Sequence, residues 1–342
     1  MKRTRSGKSV ASDKQIDKSG ADDEYESDYN PRTSREEVRM ELKRELPKIQ
    51  VFDPTSMVEY PSIIIFGRRR GGKSVLAREL MQQWEEKFDD AYLFSTTGPF
   101  QPWFWDCFDP EKIINCNDGF RDDVLKSIID RQYEEKMLLM EKHKKCKDKE
   151  KLEKLIKGEQ RQVLICLDDV VQDSMVQRSS NVSTLFNLGR HLGFTVMVLS
   201  QSVNKSSSVG QLARQNVDYV FTTLMQSQEN YETLGRIYFA RKGYRLGMKF
   251  VEEVTKEAHS FAVGELHLKE GRELSEYCRV FKPKDPLDNN KPFVLEKKKR
   301  KHQEERSVDL GKYGIHSESV KQIKRPRNNL IVPVRVNAFA LS

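Results

Sequence analysis

The stretch Ile63-Ile64-Ile65-Phe66-Gly67-Arg68-Arg69-Arg70-Gly71-Gly72-Lys73-Ser74-Val75-Leu76 decides how the chain folds. Four consecutive bulky apolar residues have the length of a buried strand. A glycine-rich turn follows, and from about Lys73 the apolar residues Val75, Leu76, Leu80 and Trp84 fall at helical spacing. Gly67 to Ser74 matches the pattern G-x-x-x-x-G-K-[ST], and it stands between a strand and a helix, where the mechanics of that pattern require it. Gly67, Gly71 and Gly72 let the backbone curl so that successive N–H groups face an anion, and the helix N-terminus adds its partial positive charge. Lys73 is placed to reach the β- and γ-phosphates of a nucleotide, and the Ser74 hydroxyl to ligate Mg²⁺. Arg70 and Val75 complete the expected phosphate-binding segment. The three loop arginines either point to solvent or contact phosphate or a neighbouring subunit.

A nucleotide site of this kind needs a carboxylate on the metal side, at the end of a neighbouring strand. Val163-Leu164-Ile165-Cys166-Leu167-Asp168-Asp169 supplies five apolar residues and then two acids. Asp168 is expected to hold Mg²⁺ directly or through water, and Asp169 to orient or deprotonate the attacking water; the plainer alternative is that one of them caps the turn. Val198-Leu199-Ser200-Gln201 ends a further strand on a polar amide. Gln201 either bonds the γ-phosphate or attacking water, or merely caps a loop. Arg190, in Asn187-Leu188-Gly189-Arg190-His191, is either an arginine finger acting on a neighbouring subunit's nucleotide or an ordinary surface arginine.

Outward from these motifs the punctuation is that of an α/β fold. Strand-sized runs at Ile63–Phe66, Ala91–Phe94, Val163–Leu167, Thr195–Leu199 and Val217–Leu224 alternate with helical patterns, which predicts a mainly parallel sheet flanked by helices on both faces. The expected organisation is a disordered arm over 1–48, a P-loop ATPase domain over 49–281 and a basic, largely disordered tail over 282–342. Within the domain, a charged helical insertion spans about 122–160, its thin apolar stripe falling at Tyr133, Met137 and Met140, then Leu152, Leu155 and Ile156. It reads as a solvated surface hairpin or a partner-binding element. Phe100 to Trp105 is an aromatic cluster that packs under a loop or stacks on bases.

The chain has 342 residues and a net charge of +8, with 37% hydrophobic and 33% charged residues. The charge is not evenly spread. Residues 1–50 carry 12 basic and 11 acidic side chains, 51–280 carry 33 and 34, and 281–342 carry 15 and 7, so the whole surplus lies in the tail. Its runs Lys297–Lys301 and Lys324–Arg327 suit nuclear import or nucleic-acid contact. Arg241-Lys242-Gly243-Tyr244-Arg245 is a smaller basic patch that either faces DNA or is a solvated helix end or turn. No apolar run approaches the roughly 20 residues of a membrane helix, and Met1 to Arg5 leads into no secretory leader. Five cysteines without paired spacing point away from a disulfide framework or zinc site and towards a reducing compartment.

The loop Gly67 to Ser74, the double acid Asp168-Asp169, the Gly189-Arg190-His191 element and the strand ending Ser200-Gln201 together resemble the poxvirus-type genome-packaging ATPases of large eukaryotic DNA viruses, a branch of the FtsK/HerA P-loop superfamily. The resemblance covers about 61–221. Many superfamily members carry Glu where this chain has Asp169, a shorter carboxylate that alters reach to the water by about one methylene. The resemblance implies a RecA/FtsK-HerA-like fold and an ATPase using ATP and Mg²⁺ that translocates double-stranded DNA into a preformed capsid. It implies a homo-oligomeric ring, pentamer or hexamer, with a capsid or portal-type viral protein as partner and no membrane. Gln201 becomes the sensor and Arg190 the trans-acting finger. The setting would be the virion or a viral factory in an infected cell, with the host nucleus admitted by the basic runs. Two other functions remain open: a nucleotide-gated DNA or capsid tether with slow hydrolysis, and a DNA pump of the conjugation or chromosome-transfer type. GTP is disfavoured because Asn204-Lys205-Ser206-Ser207 lacks the acid that reads guanine.

Overall fold

The computed structural model describes residues 46–284 apart from 85–86, 98–107, 118, 171–173, 202, 204–215, 242 and 269–272. The arm up to residue 45, the cluster Phe100–Trp105 and the tail from residue 285, with both of its basic runs, lie outside the described residues.

Among the described residues, nine strands form one sheet: β1 Gln50–Val51, β2 Ser62–Phe66, β3 Asp90–Ser95, β4 Ile113–Asn115, β5 Val163–Asp168, β6 Phe194–Ser200, β7 Tyr219–Thr222, β8 Phe261–Glu265 and β9 Cys278–Phe281, in the order β1-β9-β8-β7-β2-β6-β5-β3-β4. The helices are α1 Lys73–Gln83, α2 Asp122–Lys142, α3 Lys149–Glu159, α4 Ser174–Arg178, α5 Ser180–Leu188, α6 Gln228–Ile237, α7 Tyr244–Thr255 and α8 Leu274–Tyr277. All five strands expected from apolar runs are present. Every pairing is parallel except those of β8, which runs antiparallel to both β7 and β9.

Every residue of β2, β5 and β6 is buried, which is why these strands read as unbroken apolar runs. Alternate side chains feed separate cores. Ile63, Ile65, Leu164, Cys166, Met197 and Leu199 pack on one face with Leu76, Ala77, Leu80, Met81 and Trp84 of α1 and its end. Ile64, Phe66, Ile165, Leu167, Val196 and Val198 pack on the other with α2, α5, α6 and α7. The outcome is a three-layer sandwich with the P-loop strand β2 near its centre.

The segment 122–160 differs in part from a simple insertion. Val124, Leu125, Ile128 and Ile129 in the first half of α2 are core residues, buried because they meet α5 and the sheet. Beyond Gln132 the helix projects, leaving Tyr133, Met137 and Met140 about half exposed, and Glu159 of α3 ties back to Lys142 and His143. In the basic patch 241–245, Arg241 and Arg245 make internal contacts, and Lys242 lies outside the described residues. Arg241 lies over the Tyr277 ring at 4.8 Å and donates to the Leu266 carbonyl at 3.0 Å, and Arg245 donates to the Tyr244 hydroxyl at 3.0 Å. Tyr244 and Arg245 open helix α7.

Candidate nucleotide site

Strand order builds the site. Because β6 lies between β2 and β5, the carboxyl ends of three adjacent parallel strands bring together the loop after Phe66, Gln201 after Ser200, and Asp168-Asp169. Two backbone bonds lock this edge: Gly67 N–H donates to the Ser200 carbonyl and Asp169 N–H to the Leu199 carbonyl, both at 3.2 Å.

The loop closes on itself through a bond from Gly71 N–H to the Arg68 carbonyl at 3.0 Å. Gly72, at φ +90°, is the N-cap of α1, and no side chain caps that helix, so its first N–H groups are left for an anion. Ser74 and Val75, in the first turn, are partly buried, whereas Arg68, Arg69 and Arg70 are all exposed. The buried Lys73 ammonium donates to the carbonyls of Gly67 and Arg68 at 3.0 and 3.3 Å. Burial lowers its pKa, opposed by the charges of Asp169 and Asp168.

Glycine at 67 is required by space. A Cβ there would stand 2.3 Å from Cγ2 of Thr223, and one on Gly71 would stand 3.0 Å from the same methyl. Thr223, buried just beyond β7, therefore props the loop from beneath. Gly67→Ala is expected to cost about 1–3 kcal/mol through overpacking and to weaken nucleotide binding. Adding Thr223→Ser, which deletes that methyl, should restore most of both in thermal melts and binding titrations; a double variant as impaired as the single one would contradict the steric origin.

The paired acids differ in environment. Asp168 is buried, and its Oδ2 accepts from the Ser95 hydroxyl at 3.1 Å and the Thr97 hydroxyl at 3.4 Å. Burial and then the neighbouring Asp169 raise its pKa to about 6, against these two bonds and Lys73. Asp169, in left-handed backbone at φ 55°, is partly exposed and accepts from Gln201 Nε2 at 2.8 Å. The amide thus holds the carboxylate best placed to meet a water. Among the described residues no cluster of three or more His, Cys, Asp or Glu side chains is arranged to hold a metal. The Ser74 hydroxyl and a buried, charge-stressed Asp168 suit a Mg²⁺ ion that takes its remaining ligands from phosphate and water.

The residues missed in the sequence are Ser95, Thr97 and Thr223. Arg190 is not brought to this site. It is exposed, on a 3-10 turn at Gly189–Leu192 before the amino end of β6. That is the opposite edge of the sheet from Gln201, roughly 20 Å away at the rise of a strand.

The model of the Poxvirus A32 protein family matches residues 50–241, more than half of the chain and all of the site just described. The chain belongs to that family, the poxvirus-type packaging ATPases. Among solved structures, the conjugation coupling protein TcpA of pCW3 is 14% identical, covering 72% of this chain and 73% of its own at a TM-score of 0.48. The genome packaging NTPase B204 of Sulfolobus turreted icosahedral virus 2 is 10% identical, covering 67% and 100% at a TM-score of 0.42. No curated protein matches the chain. Like its family, this A32 member is an ATPase of viral genome packaging, and no helix among the described residues is long and apolar enough to cross a membrane.

Proposed function

We propose that this ATPase is a DNA-translocating motor that uses Mg²⁺ and ATP to drive double-stranded DNA into a capsid. The observation that carries the catalytic part is the insertion of β6 between β2 and β5, which sets the Gln201 amide on Asp169 beside the Lys73 loop. Lys73 and the loop amides hold the β- and γ-phosphates, Ser74 and Asp168 hold Mg²⁺, Asp169 takes the proton of the attacking water, and Gln201 links the state of that carboxylate to the γ-phosphate. Family membership supports the packaging part. The motor acts as a homo-oligomeric ring, pentamer or hexamer, seated on a capsid or portal-type protein in the virion or viral factory. Residues 51–280 are close to neutral in charge, so the basic tail supplies much of the attraction for DNA. Displacement of a third strand from a triplex-bearing duplex tests translocation: ATP-dependent displacement by the full chain is expected, and its absence despite ATP hydrolysis would favour a tether.

A ring gives the position of Arg190 a use. Placed on the edge away from its own nucleotide, the guanidinium serves as a finger only towards the site of a neighbouring subunit. Mixing Arg190→Ala with Lys73→Ala subunits should recover a fraction of wild-type hydrolysis, because each supplies what the other lacks. Mixtures as inactive as the separate variants would contradict action in trans, and an Arg190→Ala variant as active as wild type would remove Arg190 from the mechanism.

A further inference from the structure

Four described non-glycine residues have positive φ: Tyr60, Arg70, Asp169 and His259. Two of them, Arg70 and Asp169, have places in the nucleotide site. His259, at φ 61°, has none yet, although it stands at the same edge of the sheet. The reason is the antiparallel strand. β8 starts where β7 ends, with Ala262 paired to Thr222, so the turn 256–260 that feeds β8 comes up beside the phosphate loop. The exposed His259 ring lies against Gly72: its Nδ1 is 3.1 Å and its Cγ 3.9 Å from where a Cβ on Gly72 would stand. Ser260 N–H donates to the Glu257 carbonyl at 3.2 Å and Lys282 pairs with the Glu257 carboxylate, so the turn that carries the ring is held from two directions.

Strand order then says which part of a nucleotide the ring meets. Asp168, Asp169 and Gln201 flank the loop from the β6–β5 side, where the terminal phosphate and its water must lie. His259 flanks it from the other side, across β7 and β8. We propose that His259 is a nucleotide-binding residue that donates a hydrogen bond to the nucleoside end of the bound nucleotide, the ribose and α-phosphate shared by ATP and ADP. This rests on the assignment of the Lys73 loop as the phosphate site. The ring is remote from the hydrolytic carboxylates, so it sets affinity and leaves the chemical step alone. An imidazole donor to a phosphate or ribose oxygen is worth about a tenfold change in affinity.

The test uses calorimetric titration of the full chain with Mg²⁺ and either ADP or a non-hydrolysable ATP analogue. His259→Gly removes the ring and accepts the left-handed backbone. It should weaken both nucleotides by about tenfold and equally, while His259→Asn, which keeps a donor and tolerates the same φ, loses less. Independently of any variant, carbethoxylation of wild-type His259 by diethyl pyrocarbonate, read by mass spectrometry, should be suppressed by either nucleotide. Wild-type affinity in His259→Gly, or labelling of His259 indifferent to nucleotide, would overturn the proposal while Lys73→Ala still abolished binding. Unchanged binding in Lys73→Ala would instead overturn the assignment of the phosphate site itself.

Discussion

Asp169→Asn is expected to lower steady-state ATP hydrolysis by about two to four orders of magnitude, the usual worth of a positioned general base, while nucleotide affinity stays near that of wild type. Asp169 is the partly exposed member of the acidic pair, held in left-handed backbone where asparagine is also tolerated, so the substitution removes a proton acceptor without deforming the turn. The Gln201 amide bonds the same carboxylate at 2.8 Å. Gln201→Ala should therefore cost less than Asp169→Asn, and the two losses should not add, because residues in one hydrogen-bonded unit fail together. Rapid-quench measurement of the chemical step in both single variants and the double variant checks this. Fully multiplicative losses would place Gln201 and Asp169 in separate roles.

The second large effect is on stability and runs opposite to activity. Asp168 has a folded pKa near 6, above its ordinary 3.8, because burial and Asp169 disfavour its charge. A carboxyl whose folded pKa is raised binds its proton more tightly folded than unfolded. Below about pH 4 it is protonated in both states and costs nothing. Between about pH 4 and 6 the folded form keeps a proton that the unfolded form has released, so stability declines as pH rises. Above about pH 6 the folded protein carries the whole penalty, on the order of 3 kcal/mol at most. Asp168→Asn removes that charge and keeps an oxygen for the Ser95 and Thr97 hydroxyls. At pH 8 without nucleotide or metal, the variant should melt several degrees above wild type and the difference should shrink towards pH 4, while ATP hydrolysis is lost with the proposed metal ligand. A variant less stable than wild type at pH 8 would show that the buried carboxylate is stabilising.

The parts of this site that were legible in the sequence share one property: their chemistry is written along a single stretch of chain. Ile63 to Ser74 contains the strand, the turn glycines, the lysine and the hydroxyl, and Val163 to Asp169 contains the strand and both acids. What was not legible depends on which strands become neighbours. Ser95 and Thr97 follow an unremarkable apolar run, and they matter only because β3 pairs with β5 in a register that sets Ser95 opposite Asp168. Thr223 has no signature either, since its part is to fill the space that Gly67 and Gly71 leave open. The strand β8, Phe-Ala-Val-Gly-Glu, was not expected, because Gly264 and Glu265 interrupt the apolar pattern. Glu265 is tolerated at the strand end because Arg279 of β9 lies 2.9 Å from its carboxylate. Missing β8 also hid His259, whose position depends on that strand running against its neighbours. In the opposite direction, the basic run at 241–245 reads equally as a nucleic-acid contact or a solvated helix end or turn, and in the fold Arg241 and Arg245 meet Tyr277, Leu266 and Tyr244. Charge density along a sequence does not reveal how much of the charge is already committed.

Steady-state ATP hydrolysis by the full chain with Mg²⁺, measured across a titration of linear duplex DNA, tests the motor most directly. The expected result is a rate that rises severalfold and saturates as DNA binds, and that falls to background in Lys73→Ala with DNA present. A rate that stays the same from free to fully DNA-bound protein would contradict a DNA-translocating motor and leave an ATPase whose hydrolysis is not coupled to DNA.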